Sequence, residues 1–140
     1  MKFVPMLIAC CAVLASCVTN PKKKSADPAA AGDNSGLIID TLMRSDLTDI
    51  DGREIVIHKV YIPPNTELPK HWHPSEEFAY VLEGTTTLWQ KGKRNLVAKK
   101  GDVVKIPIRQ IHTGITGDEG ASIIVFRVHE KGEPERVLVD

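Results

Sequence analysis

Three of the five histidines carry the part of this sequence that could do chemistry. His71 and His73 stand two apart in Lys70-His71-Trp72-His73-Pro74. On a strand, residues i and i+2 point to the same face, so their imidazoles project side by side into one space. Glu77 follows Pro74-Ser75-Glu76 at the start of the next apolar run, Phe78 to Leu82. His112 comes much later, just after a turn-like segment at Pro107. Three neutral imidazoles and one carboxylate suit one borderline divalent transition metal such as Fe, Mn, Ni, Zn or Cu. The same set suits Ca or Mg poorly, because those ions prefer all-oxygen shells.

The surrounding residues carry other expectations. His58 sits in a strand-like run and reads as a packed or surface histidine rather than a ligand. His129 lies in His129-Glu130-Lys131-Gly132, a polar exit from the last strand, and reads as surface. Trp72 points away from its flanking histidines and reads as packed. Glu76 reads as solvent-facing or as a neighbour of the ligands. Tyr80, Arg109, Gln110 and Arg127 are candidates to reach the cavity. No catalytic residue is assigned.

Composition removes several alternatives. Lys plus Arg and Asp plus Glu are 18 each, so the net charge is zero. Nucleic-acid binding leaves a basic excess or stripe, and 5% aromatic residues offer no stacking platform for single strands. The three cysteines all lie in the first 17 residues. The rest of the chain therefore has no disulfide, thiolate ligand or cysteine nucleophile. There is no Gly-rich phosphate loop and no Gly-x-Ser-x-Gly elbow.

The elements that must position these residues read as short strands. Turn signals recur at Asp51-Gly52, Pro63-Pro64-Asn65, Pro74-Ser75, Glu83-Gly84, Lys91-Gly92, Lys100-Gly101 and Gly117 to Gly120. Between them lie runs rich in β-branched and aromatic residues: Glu54 to Ile62, Phe78 to Leu82, Thr85 to Trp89, Val103 to Ile106 and Ala121 to Val128. No window holds a convincing helical period. This pattern predicts an all-β sandwich or barrel. Ala121 to Val128, nearly all apolar, reads as a central strand buried on both faces, with Arg127 as an interruption.

The two histidine segments resemble the two motifs of the cupins. The first family motif is Gly, five residues, His-x-His, three or four residues, Glu, six residues, Gly. Here His71, His73, Glu77 and Gly84 stand at those places, which gives Glu77 rather than Glu76 the ligand position. Gly101, Pro107 and His112 match the second motif. Three positions depart: Asn65 replaces the opening Gly, Arg109 the Gly after Pro107, and Thr116 the closing Asn. Asn tolerates left-handed backbone angles, so the first turn can survive. The resemblance covers about Ile55 to Val128. It implies a single-domain jelly-roll barrel (a double-stranded β-helix) with metal held by His71, His73, Glu77 and His112. It also implies a small-molecule ligand, and a homodimer formed through outer strands, for which Glu54 to Ile62 or the Val137 to Val139 tail would supply the edge.

The chain begins with an address. Lys2 precedes an apolar run from Phe3 to Ala15, too short to span a bilayer and suited to a signal-peptide core. It ends in Leu14-Ala15-Ser16-Cys17, which resembles the bacterial lipobox and implies cleavage before Cys17 and lipidation of its thiol. Residues 1–16 are then a lipoprotein signal peptide. Residues 17–36, rich in small residues and Pro, read as lipidated Cys and flexible tether, with Lys22 to Lys24 either solvated or touching anionic headgroups. Residues 37–140 form the barrel domain. The expected location is the cell envelope, lipid-anchored to the membrane at Cys17. Val18, where an Asp would signal retention, favours the outer membrane in a Gram-negative host.

Members of the resembled family include dioxygenases, decarboxylases, isomerases, lyases and non-catalytic sensors, and the fold does not choose among them. The leading expectation is a metal-dependent enzyme acting on a small oxygen-rich organic molecule. Its alternatives are a non-catalytic ligand- or metal-binding module and a structural protein with a vestigial site. The intact ligand set argues against the last.

Overall fold

The computed structural model describes residues 36–139. The signal segment, Cys17 and all of the tether except Gly36 lie outside the described residues. Eight strands follow in order: β1 Ile38–Asp46, β2 Arg53–Ile62, β3 His71–Trp72, β4 Glu77–Gln90, β5 Leu96–Lys99, β6 Val103–Ile106, β7 His112–Glu130 and β8 Val137–Leu138. All pairings are antiparallel. The main path runs β1-β2-β7-β3-β8, while β4 pairs with β5, β6 and β7. The result is one curled all-β sheet with no helix among the described residues, as the turn and strand signals predict.

Alternation along the strands makes the core. On β2, Val56, His58 and Ile62 are buried, while Lys59 and Tyr61 between them are exposed. On β4, Ala79 and Val81 face inward, and Tyr80 faces out at 42% exposure. Ile62, Leu68, Ala79, Ala121, Ile123 and Val125 form the buried cluster. Each large aliphatic side chain there contributes about 1.5–3 kcal/mol by leaving water.

Two expectations about this sheet are corrected. Ala121, Ile123, Val125 and Arg127 are buried, but Ser122, Ile124 and Phe126 are only half-buried and Val128 is exposed. Among the described residues no second layer covers the outer face, where Phe126 meets Phe78 at a ring distance of 6.3 Å. The strand is therefore buried on one face, and Arg127 is an inward-pointing member of its alternation rather than an interruption.

Glu83-Gly84 and Gly117 to Gly120 are also not chain reversals. β4 and β7 continue through them and pair on both sides, Glu77↔Arg127 through Gly84↔Ala121 and then Thr86↔Thr116 through Gln90↔His112. The register shifts between Val81 and Glu83 and between Gly84 and Thr86, so the signals mark bulges. Gly84 has φ +74°, and a Cβ on it would lie 1.9 Å from the Gly120 carbonyl oxygen. No other residue fits there without moving the backbone.

The expected dimer edge at Glu54 to Ile62 is also occupied, because β2 pairs with β1 on one side and β7 on the other. The tail pairs within the chain, Val137 with Trp72 and Leu138 with His71.

Candidate metal centre

Four separate pieces of chain meet at one end of the sheet. β3 contributes His71, and His73 follows it in the loop toward β4. Glu77 opens β4, and His112 opens β7. Register brings them together: His71 lies opposite His112, and Glu77 lies opposite Arg127. All four residues and Arg127 are buried. One ring nitrogen from each of His71, His73 and His112 lies within 4.8 Å of the others. Glu77 sits beside them, with Oε2 at 2.9 Å from His73 Nε2 and Oε1 at 4.0 Å from His112 Nε2.

The tautomers follow from the partners. Nδ1 of His71 faces the Pro69 carbonyl at 2.8 Å, Nδ1 of His112 the Gln110 carbonyl at 2.8 Å, and Nδ1 of His73 the Glu135 carbonyl at 2.5 Å. A carbonyl only accepts, so Nδ1 of His71 and of His112 carries the hydrogen and donates it; Nδ1 of His73 also lies 2.7 Å from Arg127 Nη1, so it sits between an acceptor and a donor. In that tautomer His71 and His112 each turn an Nε2 lone pair inward. At His73, Nε2 faces a carboxylate oxygen at 2.9 Å, a place for a proton or a cation between them. This is the donor set and the orientation that a metal ion requires.

The electrostatics agree. Burial pushes the His71 imidazole down to about 3, and the neighbouring His112 and His73 push the same way. Burial also lowers His112. At Glu77, burial favours the neutral acid, but His73, Arg127 and His112 outweigh it and hold the carboxyl well below its usual range. Neutral His71 and His112 beside an ionised carboxylate are the forms that ligate.

The loop geometry explains the departures from the motifs. Asn65 has φ +50° and Arg109 φ +58°, so both occupy left-handed positions where the family pattern has Gly. The Arg109 amide donates to the His73 carbonyl at 2.9 Å, which ties the two motif loops together. The buried Thr116 hydroxyl donates to the Pro63 carbonyl at 2.5 Å and accepts from the Thr66 amide at 3.1 Å, holding the approach to β3 against β7.

A cavity of about 110 Å3 runs from this cluster into the barrel. One end is lined by the three histidines, Glu77, Arg127 and Glu135. His58, Thr86 and Arg136 also line it, and the remainder is mostly aliphatic, including Val60, Ile62, Leu68, Val81, Leu88 and Ile123.

Several sequence expectations are placed elsewhere. Tyr80 points out of the barrel. Arg109 is exposed, its guanidinium 5.9 Å from the Trp72 ring. The Gln110 side chain donates to the Lys91 and Ile111 carbonyls at 3.0 and 3.1 Å instead of entering the cavity; its carbonyl is what serves the site. Glu76 does face outward, the first of its two expected placements, and meets Lys105 at 2.7 Å. His129 is not on the surface but 2% exposed, with Nε2 donating to the Glu133 carbonyl at 3.0 Å. The inward alternation of β7 places it there. His58 is buried between Thr41 and Glu135, at 3.1 and 2.8 Å.

Sequence reading missed Glu135. Its carboxylate binds Arg44 and His58, and receives Arg127 Nη2 at 3.1 Å. Burial opposes its ionisation, but the His58 hydrogen bond and the charges of Arg127 and Arg44 hold it down at about 2.

Comparison with known proteins agrees with this architecture. The chain resembles the DMSP lyase DddQ from Ruegeria pomeroyi, with 27% identity, a TM-score of 0.56, and coverage of 61% of this chain and 43% of the lyase. It thus spans less than half the length of that enzyme. It resembles the polyketide cyclase RemF from Streptomyces resistomycificus with 25% identity, a TM-score of 0.58, and coverage of 74% and 72%. A cupin-like protein from Thermotoga maritima shares the fold at 19% identity and a TM-score of 0.60, with coverage of 74% and 75%. No curated protein sequence matches the chain. The cupin domain family profile matches residues 58–127, half of the chain and the stretch that contains all four candidate ligands. With three histidines clustered inside a curled β-sheet, this chain belongs to the cupin-domain family.

Proposed function

We propose that this protein is a metal-dependent cupin enzyme in which His71, His73, Glu77 and His112 hold one divalent transition metal. The observation that carries the reading is the convergence of three buried histidines, one ring nitrogen of each within 4.8 Å of the others, beside an ionised Glu77, with His71 and His112 each donating Nδ1–H to a backbone carbonyl. A bound divalent ion would supply Lewis acidity and a template for an oxygen-bearing substrate. Two structural neighbours at or above 25% identity are named as a lyase and a cyclase, which supports turnover over passive binding.

The chain's own residues shape the substrate. An oxygen-bearing head would lie by the histidines, and a compact apolar body would fill the aliphatic part of the cavity. A sugar would bury hydroxyls there without partners, at a cost of about 1–3 kcal/mol each. Thr86, which lines this part, already donates its hydroxyl to the Ile115 carbonyl.

The Leu14-Ala15-Ser16-Cys17 segment supports a lipid anchor at Cys17 and work at the cell envelope. The first test is elemental analysis of the purified full chain beside a His71→Ala/His73→Ala variant. Near one equivalent of Fe, Mn, Ni, Cu or Zn, lost in the variant, is expected. No metal in the wild type, even after incubation with each ion, would overturn the reading. Substrate turnover lost in His73→Ala would separate the enzyme from a binding module.

A further inference from the structure

His71 and His112 are anchored locally, whereas His73 is anchored from afar. The carbonyls that fix His71 and His112 belong to Pro69 and Gln110, each two residues upstream in the same segment. The carbonyl that fixes His73 belongs to Glu135, 62 positions later. Resting on the metal site proposed above, we infer that Glu135 is a positioning residue for His73, and that the C-terminal segment 131–139 is a strap whose docking is linked to metal binding.

The strap is pinned along its length. The Lys131 amide donates to the Gly52 carbonyl at 2.9 Å, and the Lys131 ammonium meets Asp46 at 2.6 Å. The Glu133 carbonyl accepts from His129. β8 pairs with β3, the strand that carries His71, and the Val139 amide donates to the Lys70 carbonyl at 3.0 Å. Glu135 sits midway. Its side chain is 10% exposed and grips Arg44 of β1, His58 of β2 and Arg127 of β7. Those three contacts hold its carbonyl against His73 Nδ1. Arg127, which Glu135 grips, adds a second tie, with Nη1 at 2.7 Å from His73 Nδ1, 3.3 Å from the Glu135 carbonyl and 3.6 Å from Glu77 Oε2. Linkage is reciprocal: if the docked strap favours metal, bound metal favours the docked strap by the same factor.

The test uses the full chain and Zn2+ as the probe. Affinity is measured by competition with a chromophoric chelator for the wild type, Glu135→Ala, Glu135→Gln and the outward-facing control Tyr80→Ala. The tautomer of each histidine is read from imidazole 15N shifts. Glu135→Ala should weaken Zn2+ binding by about 10–100-fold, the usual effect of losing a partner behind a metal ligand. It should alter the His73 ring signals and leave those of His71 and His112 in place. Glu135→Gln should fall between Glu135→Ala and the wild type, and Tyr80→Ala should match the wild type. Zn2+ should also slow hydrogen exchange of the Lys131, Glu133 and Val139 amides in the wild type, a readout that stands even if Glu135→Ala fails to fold. Zn2+ affinity within twofold of wild type in a folded Glu135→Ala, or strap exchange unchanged by Zn2+, overturns the inference while leaving the metal site intact. Failure of the wild type to bind Zn2+ or any other ion tested overturns both.

Discussion

The two ends of the cavity are built on opposite terms. At the inner end, Ile62, Leu68, Val81 and Ile123 bury apolar surface and ask nothing of their neighbours except fit. At the outer end, three imidazoles, two carboxylates and a guanidinium are buried together, and almost every one of their atoms needs a named partner. Arg127 Nε is a buried donor that has none. Desolvated charge is at best a weak source of stability, so the barrel is stabilised by its apolar end and held ready at its polar end. Stability and function are thus separable along one cavity.

That separation can be broken in four ways. The largest effect is expected for His71→Ala/His73→Ala, which should abolish stoichiometric metal binding while the metal-free protein melts close to wild type. Elemental analysis and calorimetry check both halves, and a large loss of metal-free stability would show the histidines to be structural. Next, Ile62→Ala should destabilise the fold by about 2–5 kcal/mol in urea unfolding and leave metal stoichiometry unchanged. Third, adding the native ion at 100 times its Kd should stabilise the wild type by about 2.7 kcal/mol, and the double histidine variant by none of that, read as a shift in Tm. Fourth, Thr116→Val should cost about 1–3 kcal/mol by leaving the Thr66 amide without its hydroxyl partner. Tyr80→Ala, on the outer face, should stay within about 0.5 kcal/mol. A Tyr80→Ala effect on metal or ligand affinity would return that residue to the cavity.

The histidines and Glu77 were legible in the sequence because ligand spacing on and beside a strand is local. His71 and His73 share a face by parity alone, and the two motifs supply the distant His112. The same parity, counted from buried Ala79, would have turned Tyr80 outward. The strand lengths were less legible, because a glycine in a bulge and a glycine in a turn look alike in one dimension. Gly84 and Gly117 to Gly120 read as chain reversals, yet β4 and β7 continue through them as bulged, paired strands. Glu135 was invisible: it lies in an irregular segment, its key atom is a main-chain oxygen, and nothing in Gly132-Glu133-Pro134-Glu135 marks which carboxylate turns inward. Arg127 stood out as a charge within an apolar run, and that anomaly was the one signal pointing to the polar network behind the histidine cluster.

The glycine contact between β4 and β7 has a consequence for reach. His112 and Arg127 belong to one strand and are 15 positions apart, which in a straight strand would separate them by about 50 Å. Yet His112 Nε2 is 4.0 Å from one oxygen of Glu77, and Arg127 Nη1 is 3.6 Å from the other. The paired ribbon doubles back at Gly84 and Gly120, so a single carboxylate touches both ends of the same strand. A missing side chain at the far end of the barrel is what lets the near end close on itself.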